Sequence, residues 1–153
     1  MRIGLLEDDT SQIELISLWT EETGDQLQSY TTGKSFREAI DNENFDLLLL
    51  DWHLPDTTGI KELDWLRGEK ACNTPVIFIT SRDSEESVVE ALDHGADDYM
   101  VKPVRKEVTL ARIKAVQRRN KTATALSHSS GTAEQHSSPP ADSETYDQYK
   151  INQ

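Results

Sequence analysis

The sequence predicts an α/β domain in which helices cover both faces of a five-stranded parallel sheet, a doubly wound (βα)5 fold. Short apolar runs alternate along the chain with segments whose apolar residues recur at helical spacing, which is the pattern of consecutive βα units. Two of the runs, "LLLL" at 47–50 and "VIFI" at 76–79, are apolar without interruption. This composition is typical of strands buried on both faces.

Five segments have the composition of strands. "DLLLLD" is the clearest, "QLQSY" is the weakest, and "PVIFIT" opens with a proline, which the first residue of a strand tolerates. The predicted strands are, in chain order, 2–7, 26–30, 46–51, 75–80 and 98–101.

A helical segment follows each predicted strand. The first, 11–23, has two candidate apolar faces, and its spacing does not choose between Ile13, Ile16 and Trp19 on one side and Leu15 and Leu18 on the other. The later helices carry Phe36 to Ile40 after Thr32-Gly33; Ile60, Leu63 and Leu66; Val88, Val89 and Leu92; and Leu110, Ile113 and Val116.

Composition excludes several functions. The longest strongly apolar run has four residues, far fewer than the roughly 20 of a membrane helix. The net charge of −12 argues against binding nucleic acid through these residues. The acidic N-terminus is unlike a signal peptide, and a single cysteine, Cys72, allows no disulfide within the chain. We expect a cytoplasmic protein that does not associate with membranes.

The composition changes near residue 121. Residues 1–120 contain all the predicted strands and helices, whereas 121–153 are rich in Ser, Thr, Ala and Pro. We therefore predict one domain over 1–120 and a flexible linker or tail over 121–153.

Chemically active residues follow four of the five predicted strands. In a doubly wound sheet these carboxyl ends lie side by side and form the binding crevice. The residues are Glu7-Asp8-Asp9, Asp51, Thr80 and Lys102, the last followed by Pro103. Carboxylates brought together repel one another unless a cation joins them, and Mg²⁺, or alternatively Mn²⁺, prefers oxygen ligands. An aspartate can itself attack phosphorus, while lysine and a hydroxyl can hold phosphoryl oxygens.

Four motifs in order, "LLEDD", "LLLLDWHLPDTTG", "FITSRD" and "GADDYMVKP", make the chain resemble the receiver domain of two-component response regulators from Arg2 to about Arg119. The resemblance implies the flavodoxin-like receiver fold and phosphorelay signal transduction. Asp51 would accept a phosphoryl group from a sensor histidine kinase. Asp8, Asp51 and the backbone carbonyl of His53 would bind Mg²⁺ directly, and Glu7 would bind it through water. Asp9 is the less favoured ligand.

The same resemblance implies a switch that is not an enzyme beyond its own phosphotransfer and autodephosphorylation. Thr80 and Lys102 would contact the phosphoryl group, with Lys102–Pro103 in the cis form, and Tyr99 would couple Thr80 to the face formed by the fourth helix, fifth strand and fifth helix. The side chains of His53 and Arg82 would tune dephosphorylation. Trp52 is interpreted as a packing residue.

One glycine of the second motif is interpreted by its backbone conformation. Gly59 suits a turn with positive φ, and the family has a glycine at this position.

A dimer is predicted from the resemblance to OmpR/PhoB-type regulators. Asp97, Asp98, Arg112 and Arg119 resemble the charged pairs through which those proteins dimerise on phosphorylation, although they could also be ordinary surface salt bridges. The pattern departs from that subfamily in three places. An apolar contact between Val88 and Val108 would replace a basic–acidic pair, and Val104 stands where phenylalanine is usual.

The sequence favours a transcriptional output, and three alternatives to this interpretation are considered. The C-terminal "YDQYKINQ" resembles the opening strand of a winged-helix domain, which would make the chain a truncated transcriptional regulator whose DNA contacts lie in a domain absent from it. A stand-alone receiver acting through protein binding is the alternative. A Mg²⁺-dependent aspartyl-phosphate phosphatase would need a second acid where His53 stands, and a flavin-binding module would not place Glu7-Asp8-Asp9 beside a phosphate.

Overall fold

The computed structural model describes residues 1–128 and contains the predicted five-stranded parallel sheet. The strand order is β2-β1-β3-β4-β5. The strands are β1 (Arg2–Leu6), β2 (Gln26–Tyr30), β3 (Leu47–Leu50), β4 (Val76–Thr80) and β5 (Asp98–Val101), and the helices are α1 (Thr10–Glu22), α2 (Gly33–Asn42), α3 (Gly59–Arg67), α4 (Glu85–Asp93) and α5 (Lys106–His128). The prediction of a doubly wound α/β fold is confirmed.

The sheet is buried where the sequence is uniformly apolar. All four residues of β3 and all five of β4 are buried, whereas the edge strand β2 is largely exposed or half-buried. Of the two candidate faces of α1, the one with Ile16 and Trp19 is buried, and Leu18 on the other face is 56% exposed. The structure therefore decides a choice that periodicity left open.

Side chains that accept hydrogen bonds from the first helical turn define where four helices begin. The capping residues are Asp9 for α1, Thr32 for α2, Thr58 for α3 and Ser84 for α4. Each satisfies a backbone N–H that has no partner within its own helix. Because all four caps lie in loops at the carboxyl edge of the sheet, they also set where those loops end.

The structure corrects the expectation about Gly59. Gly59 does not have positive φ; a Cβ there would lie 2.2 Å from the carbonyl oxygen of Asp51, so close packing is the reason for glycine.

Val88 is 1% exposed and cannot form a surface contact with Val108; the exposed valine of α4 is Val89. Val104, in contrast, packs against the main core.

The described residues end at 128, within the predicted linker of residues 121–153. Residues Met1–Gln117 form one compact unit. Helix α5 continues to His128, so the first residues of the predicted linker are helical. The predicted strand "YDQYKINQ" lies outside the described residues, and the division at residue 120 stays a prediction. Within residues 1–128, no helix combines the length and hydropathy that crossing a bilayer requires.

Candidate functional site

Three carboxylates meet where β1 and β3 end. These strands are parallel neighbours with Leu6 opposite Leu50, so the residues that follow them leave the sheet side by side. One oxygen each from Glu7, Asp8 and Asp51 lie within 4.8 Å of one another. Glu7 is 1% exposed and Asp51 is 7% exposed. Asp8 is exposed. Like charges this close repel one another, and the burial of Glu7 and Asp51 strengthens that repulsion unless a positive group lies between them.

Lys102 supplies one positive charge. It follows β5, and its Nζ lies 2.8 Å from Glu7 Oε1 and 3.1 Å from Asp51 Oδ2. Burial opposes its charge, but the two carboxylates outweigh that effect and place the pKa of Lys102 above its ordinary value. Burial raises the pKa of Glu7, and the Lys102 ammonium offsets this only in part because Asp51 adds repulsion. One lysine therefore leaves the pocket short of positive charge.

The donors of this pocket fit a divalent cation. Glu7 Oε1 is buried, and the Lys102 ammonium is its ion-pair partner at 2.8 Å. Two oxygens that share one Mg²⁺ are at most about 4.2 Å apart, so a spread of 4.8 Å needs only a small contraction. Asp9 is not part of this group. Its carboxylate caps α1 by accepting from the N–H of Ser11 at 2.9 Å.

Thr80 and Tyr99 lie next to this pocket on β4 and β5. Thr80 is fully buried at the end of β4, and its carbonyl accepts a 2.9 Å hydrogen bond from the N–H of Lys102. Tyr99 is also fully buried, which raises the pKa of its hydroxyl, and that hydroxyl donates to the carbonyl of Arg82 at 2.7 Å. The peptide bond between Lys102 and Pro103 is cis, as predicted.

Arg82 and His53 occupy different surroundings. The Arg82 guanidinium lies 4.3 Å above the ring of Trp52, and its Nε donates to Ser87 of α4 at 3.0 Å. Trp52 is 6% exposed and packs on Phe78, so the interpretation of Trp52 as a packing residue is confirmed. The His53 side chain is exposed. The contact between Trp52 and Arg82 was not predicted, because 30 residues separate them in the chain.

The residues predicted to form a dimer face are largely paired within the chain. Asp98 is 3% exposed and lies 3.4 Å from Arg112. Asp97 accepts from the N–H of Val76 at 2.9 Å and from Arg67 at 3.3 Å. Arg119 is exposed on α5. The contacts of Asp97 and Asp98 connect β5 to α5 and to the start of β4.

A hydrogen-bond network at the loop after Asp51 was also not predicted. Glu62 is 1% exposed and accepts two hydrogen bonds from Arg37, at 2.7 and 3.0 Å, and one from Thr57 at 2.7 Å. A signal was present in the sequence, because Glu62 lies between Gly59 and Leu66 on the buried face of α3. A glutamate at such a position needs a partner of opposite charge.

The strand order and the acidic edge together define the flavodoxin-like receiver fold. The model of the response regulator receiver domain matches residues 3–114 of the chain. The chain is 37% identical over 121 residues to the cell cycle transcriptional regulator CtrA of Caulobacter vibrioides, with 79% of this chain and 52% of that protein covered. It is 36% identical over 120 residues to the transcriptional regulatory protein BasR of Escherichia coli, with 78% and 54% covered.

A solved structure agrees with these relatives. Response regulator DrrB of Thermotoga maritima, an OmpR/PhoB homologue, superposes with a TM-score of 0.70 at 30% identity, covering 78% of this chain and 53% of DrrB. The chain belongs to the response regulator receiver family, and it resembles the OmpR/PhoB type in particular. It spans about half the length of the curated relatives it matches.

Proposed function

We propose that the protein is a phosphorylation switch in which Asp51 accepts a phosphoryl group from a phosphohistidine of a sensor histidine kinase. One observation carries the proposal. Asp51 lies at the end of a rigid buried strand, within 4.8 Å of two further carboxylates and 3.1 Å from the Lys102 ammonium. Such a combination of nucleophile, cation donors and fixed positive charge suits phosphoryl transfer.

The reaction moves one phosphoryl group. A carboxylate oxygen of Asp51 forms a bond to phosphorus while the phosphorus–nitrogen bond of the donor breaks, and the imidazole leaves with a proton taken from solvent. Glu7, Asp8, Asp51 and the carbonyl of His53 would hold Mg²⁺, which neutralises phosphoryl oxygens when bound. Lys102 is already within 3.1 Å of Asp51 and needs no large movement to pair with the new phosphoryl oxygens.

Transmission starts from residues that gain a partner only in the phosphorylated state. Thr80 is buried beside the pocket, and its hydroxyl would turn toward the phosphoryl group. The Tyr99 hydroxyl donates to the carbonyl of Arg82, which lies in the loop between β4 and α4. Movement of that loop would shift α4, because Arg82 also donates to Ser87 of α4. We infer that the face formed by α4, β5 and α5 changes as a result.

Loss of the phosphoryl group would end the signal. Water would attack phosphorus and Asp51 would leave as a carboxylate. His53, which is exposed two residues after Asp51, and Arg82, which lies over Trp52, would control the approach of water. We propose that these two side chains set the rate of dephosphorylation.

We infer that the native output is transcription. The relatives named above are transcriptional regulators, and about half of their length has no counterpart here. DNA contact would then belong to a domain outside this chain, joined through residues 121–153, and the setting would be the cytoplasm. Phosphorylation would favour a homodimer through the face that carries Asp97, Asp98, Arg112 and Arg119.

Incubation with acetyl phosphate and Mg²⁺, followed by intact-mass measurement, tests the phosphorylation. We expect one added phosphoryl group that is stable to acid and labile to base. It should not be added when the metal is chelated before the phosphodonor is supplied, and it should be absent in Asp51→Asn. Asp46→Asn is the matched control, because Asp46 precedes the same strand at its opposite end and pairs with the N–H of Arg2. Labelling that persists in Asp51→Asn would refute the proposal.

Sedimentation velocity before and after phosphorylation tests the dimer. We expect a concentration-dependent shift toward dimer on phosphorylation. Arg119→Ala should weaken this shift without preventing phosphorylation, because Arg119 is exposed and distant in the chain from the pocket residues. A sedimentation profile that does not change on phosphorylation would remove the dimer and leave the phosphorylation proposal standing.

A further inference from the structure

Helix α2 is joined to the loop that follows the phosphoacceptor. The Asp56 carboxylate accepts hydrogen bonds from the first two N–H groups of α2, those of Gly33 at 2.8 Å and Lys34 at 3.2 Å. These are donors that the helix itself leaves without partners. The α2 backbone is tightly packed on the loop, because a Cβ at Gly33 would lie 2.6 Å from Cγ2 of Thr57.

An ion pair between half-exposed Arg37 and buried Glu62 makes the second connection. The Thr57 hydroxyl donates to Glu62 Oε2 at 2.7 Å, and Arg37 of α2 donates to both oxygens of the same carboxylate. The pKa of Arg37 is raised by these hydrogen bonds. The Arg37 guanidinium also lies 4.7 Å above the ring of Trp65 on α3. We call Asp56, Thr57, Glu62 and Arg37 the α2 clamp.

The loop of residues 52–59, which the α2 clamp contacts, is short and closed by its own hydrogen bonds. A constraint on Asp56 and Thr57 therefore also restrains the backbone of His53. The N–H of Gly59 donates to the carbonyl of Trp52 at 2.8 Å, and the N–H of Leu54 donates to the carbonyl of Thr57 at 3.3 Å. An isolated antiparallel bridge pairs His53 with Thr58. The carbonyl of His53, assigned above to the metal, therefore lies in the same closed loop as the residues that α2 holds.

We propose that the α2 clamp positions the loop after Asp51, so that order at the N-terminus of α2 and cation binding in the pocket are coupled. Asp56 and Arg37 are positioning residues, because they touch neither the phosphoacceptor nor the cation donors. Coupling is reciprocal. A cation that fixes the His53 carbonyl therefore also stabilises the first turn of α2, and loss of the clamp weakens cation binding. This inference rests on the proposed function for its metal site but not for the clamp itself.

The clamp is first tested in metal-free protein by amide hydrogen exchange. Asp56→Ala removes both hydrogen bonds to α2 and should accelerate exchange at Leu54 and Gly59, to which Asp56 is not bonded. Asp56→Asn keeps a carbonyl acceptor and should restore most of the protection. The matched control is Asp41→Asn. Asp41 lies near the other end of α2, and the substitution breaks its exposed ion pair with Lys70, which follows α3. Unchanged exchange at Leu54 and Gly59 in Asp56→Ala would overturn the proposal.

The coupling is then tested by calorimetric titration with Mg²⁺ and by exchange in its presence. Outer partners of metal ligands typically change affinity 10- to 100-fold, and Asp56 acts one contact further out, so we expect Asp56→Ala to weaken Mg²⁺ binding by about three- to tenfold. In the wild type, Mg²⁺ should slow exchange at Gly33 and Lys34, and this slowing should disappear in Asp56→Ala. Equal Mg²⁺ affinity in both proteins would overturn the coupling.

The two proposals fail differently. A wild-type chain that binds no Mg²⁺ contradicts the metal site and the coupling, whereas the clamp is judged by the metal-free exchange alone. Mg²⁺ binding that protects the pocket but not Gly33 and Lys34 contradicts the coupling and leaves the phosphorylation proposal intact.

Discussion

Replacing Arg37 by methionine tests the ion pair that joins α2 to the buried Glu62 of α3. Methionine keeps an apolar chain of similar reach but leaves the Glu62 carboxylate, 1% exposed, with Thr57 as its remaining hydrogen-bond donor. Removing one member of a buried pair typically costs 3–5 kcal/mol. Because Arg37 is 41% exposed and one donor remains, we expect about 2–3 kcal/mol. Loss of the guanidinium from the Trp65 ring adds about 0.5 kcal/mol.

Urea unfolding followed by circular dichroism measures this loss. A destabilisation of about 3 kcal/mol corresponds to a fall in Tm of about 10–15 °C for a domain of this size. Adding Glu62→Gln to Arg37→Met should recover part of the loss, because it removes the unpaired charge and keeps an acceptor for Thr57. The recovery separates the cost of a stranded charge from the cost of a lost contact.

Lys70→Met is the matched control for that experiment. Lys70 lies 5.8 Å from the same Trp65 ring and pairs with Asp41 of α2, but both partners are substantially exposed. Its loss should cost no more than about 0.5 kcal/mol. If Arg37→Met costs as little as Lys70→Met, or if Glu62→Gln recovers nothing, the ion pair between Arg37 and Glu62 does not stabilise the packing of α2.

Three further predictions concern other contacts. The His94 ring lies 2.6 Å from Asp64, which raises the pKa of His94; the stability this pair provides should be complete below about pH 6.5 and lost as pH rises through the higher folded pKa, and Asp64→Asn should abolish that dependence in urea titrations. Gly59→Ala should destabilise by about 1–3 kcal/mol despite the better helix propensity of alanine, since its Cβ would meet the carbonyl oxygen of Asp51; an unchanged Tm would contradict this. Tyr99→Phe should cost about 1 kcal/mol through the loss of a partly buried hydrogen bond to the β4–α4 loop, and an unchanged urea midpoint would contradict this prediction.

Much of the fold was predictable because it depends on local patterns. The strand "LLLL" is buried on both faces, and its composition alone indicated this. Thr80 and Lys102 were assigned to strand ends from the same kind of pattern, and Lys102 does contact Asp51. Parallel strands bring their carboxyl ends to one edge, so predicting the strands also predicted which side chains would meet.

Other features depended on contacts between distant residues. The buried face of α1 could not be chosen by spacing, because Leu15 and Leu18 are as apolar as Ile13 and Ile16. The α4 valine on the surface was misassigned as Val88, since neighbouring valines on a helix differ only in what packs against them. The reason for Gly59 was misjudged because the obstacle is the Asp51 backbone and the Phe78 ring rather than its own φ.

The sequence by itself determined the α/β class, the order of elements and the acids, hydroxyl and lysine at the strand ends, because hydrophobic period and strand-end position are local properties of the chain. Tertiary structure alone decided that Asp56 accepts hydrogen bonds from the first turn of a helix that begins 23 residues earlier in the chain, and that Glu62 pairs with Arg37 across α2 and α3. These contacts join segments far apart in sequence, and a single buried glutamate is the only trace they leave in it. The aspartate that ends the leucine run is therefore identified by sequence, whereas its supporting loop is explained by packing.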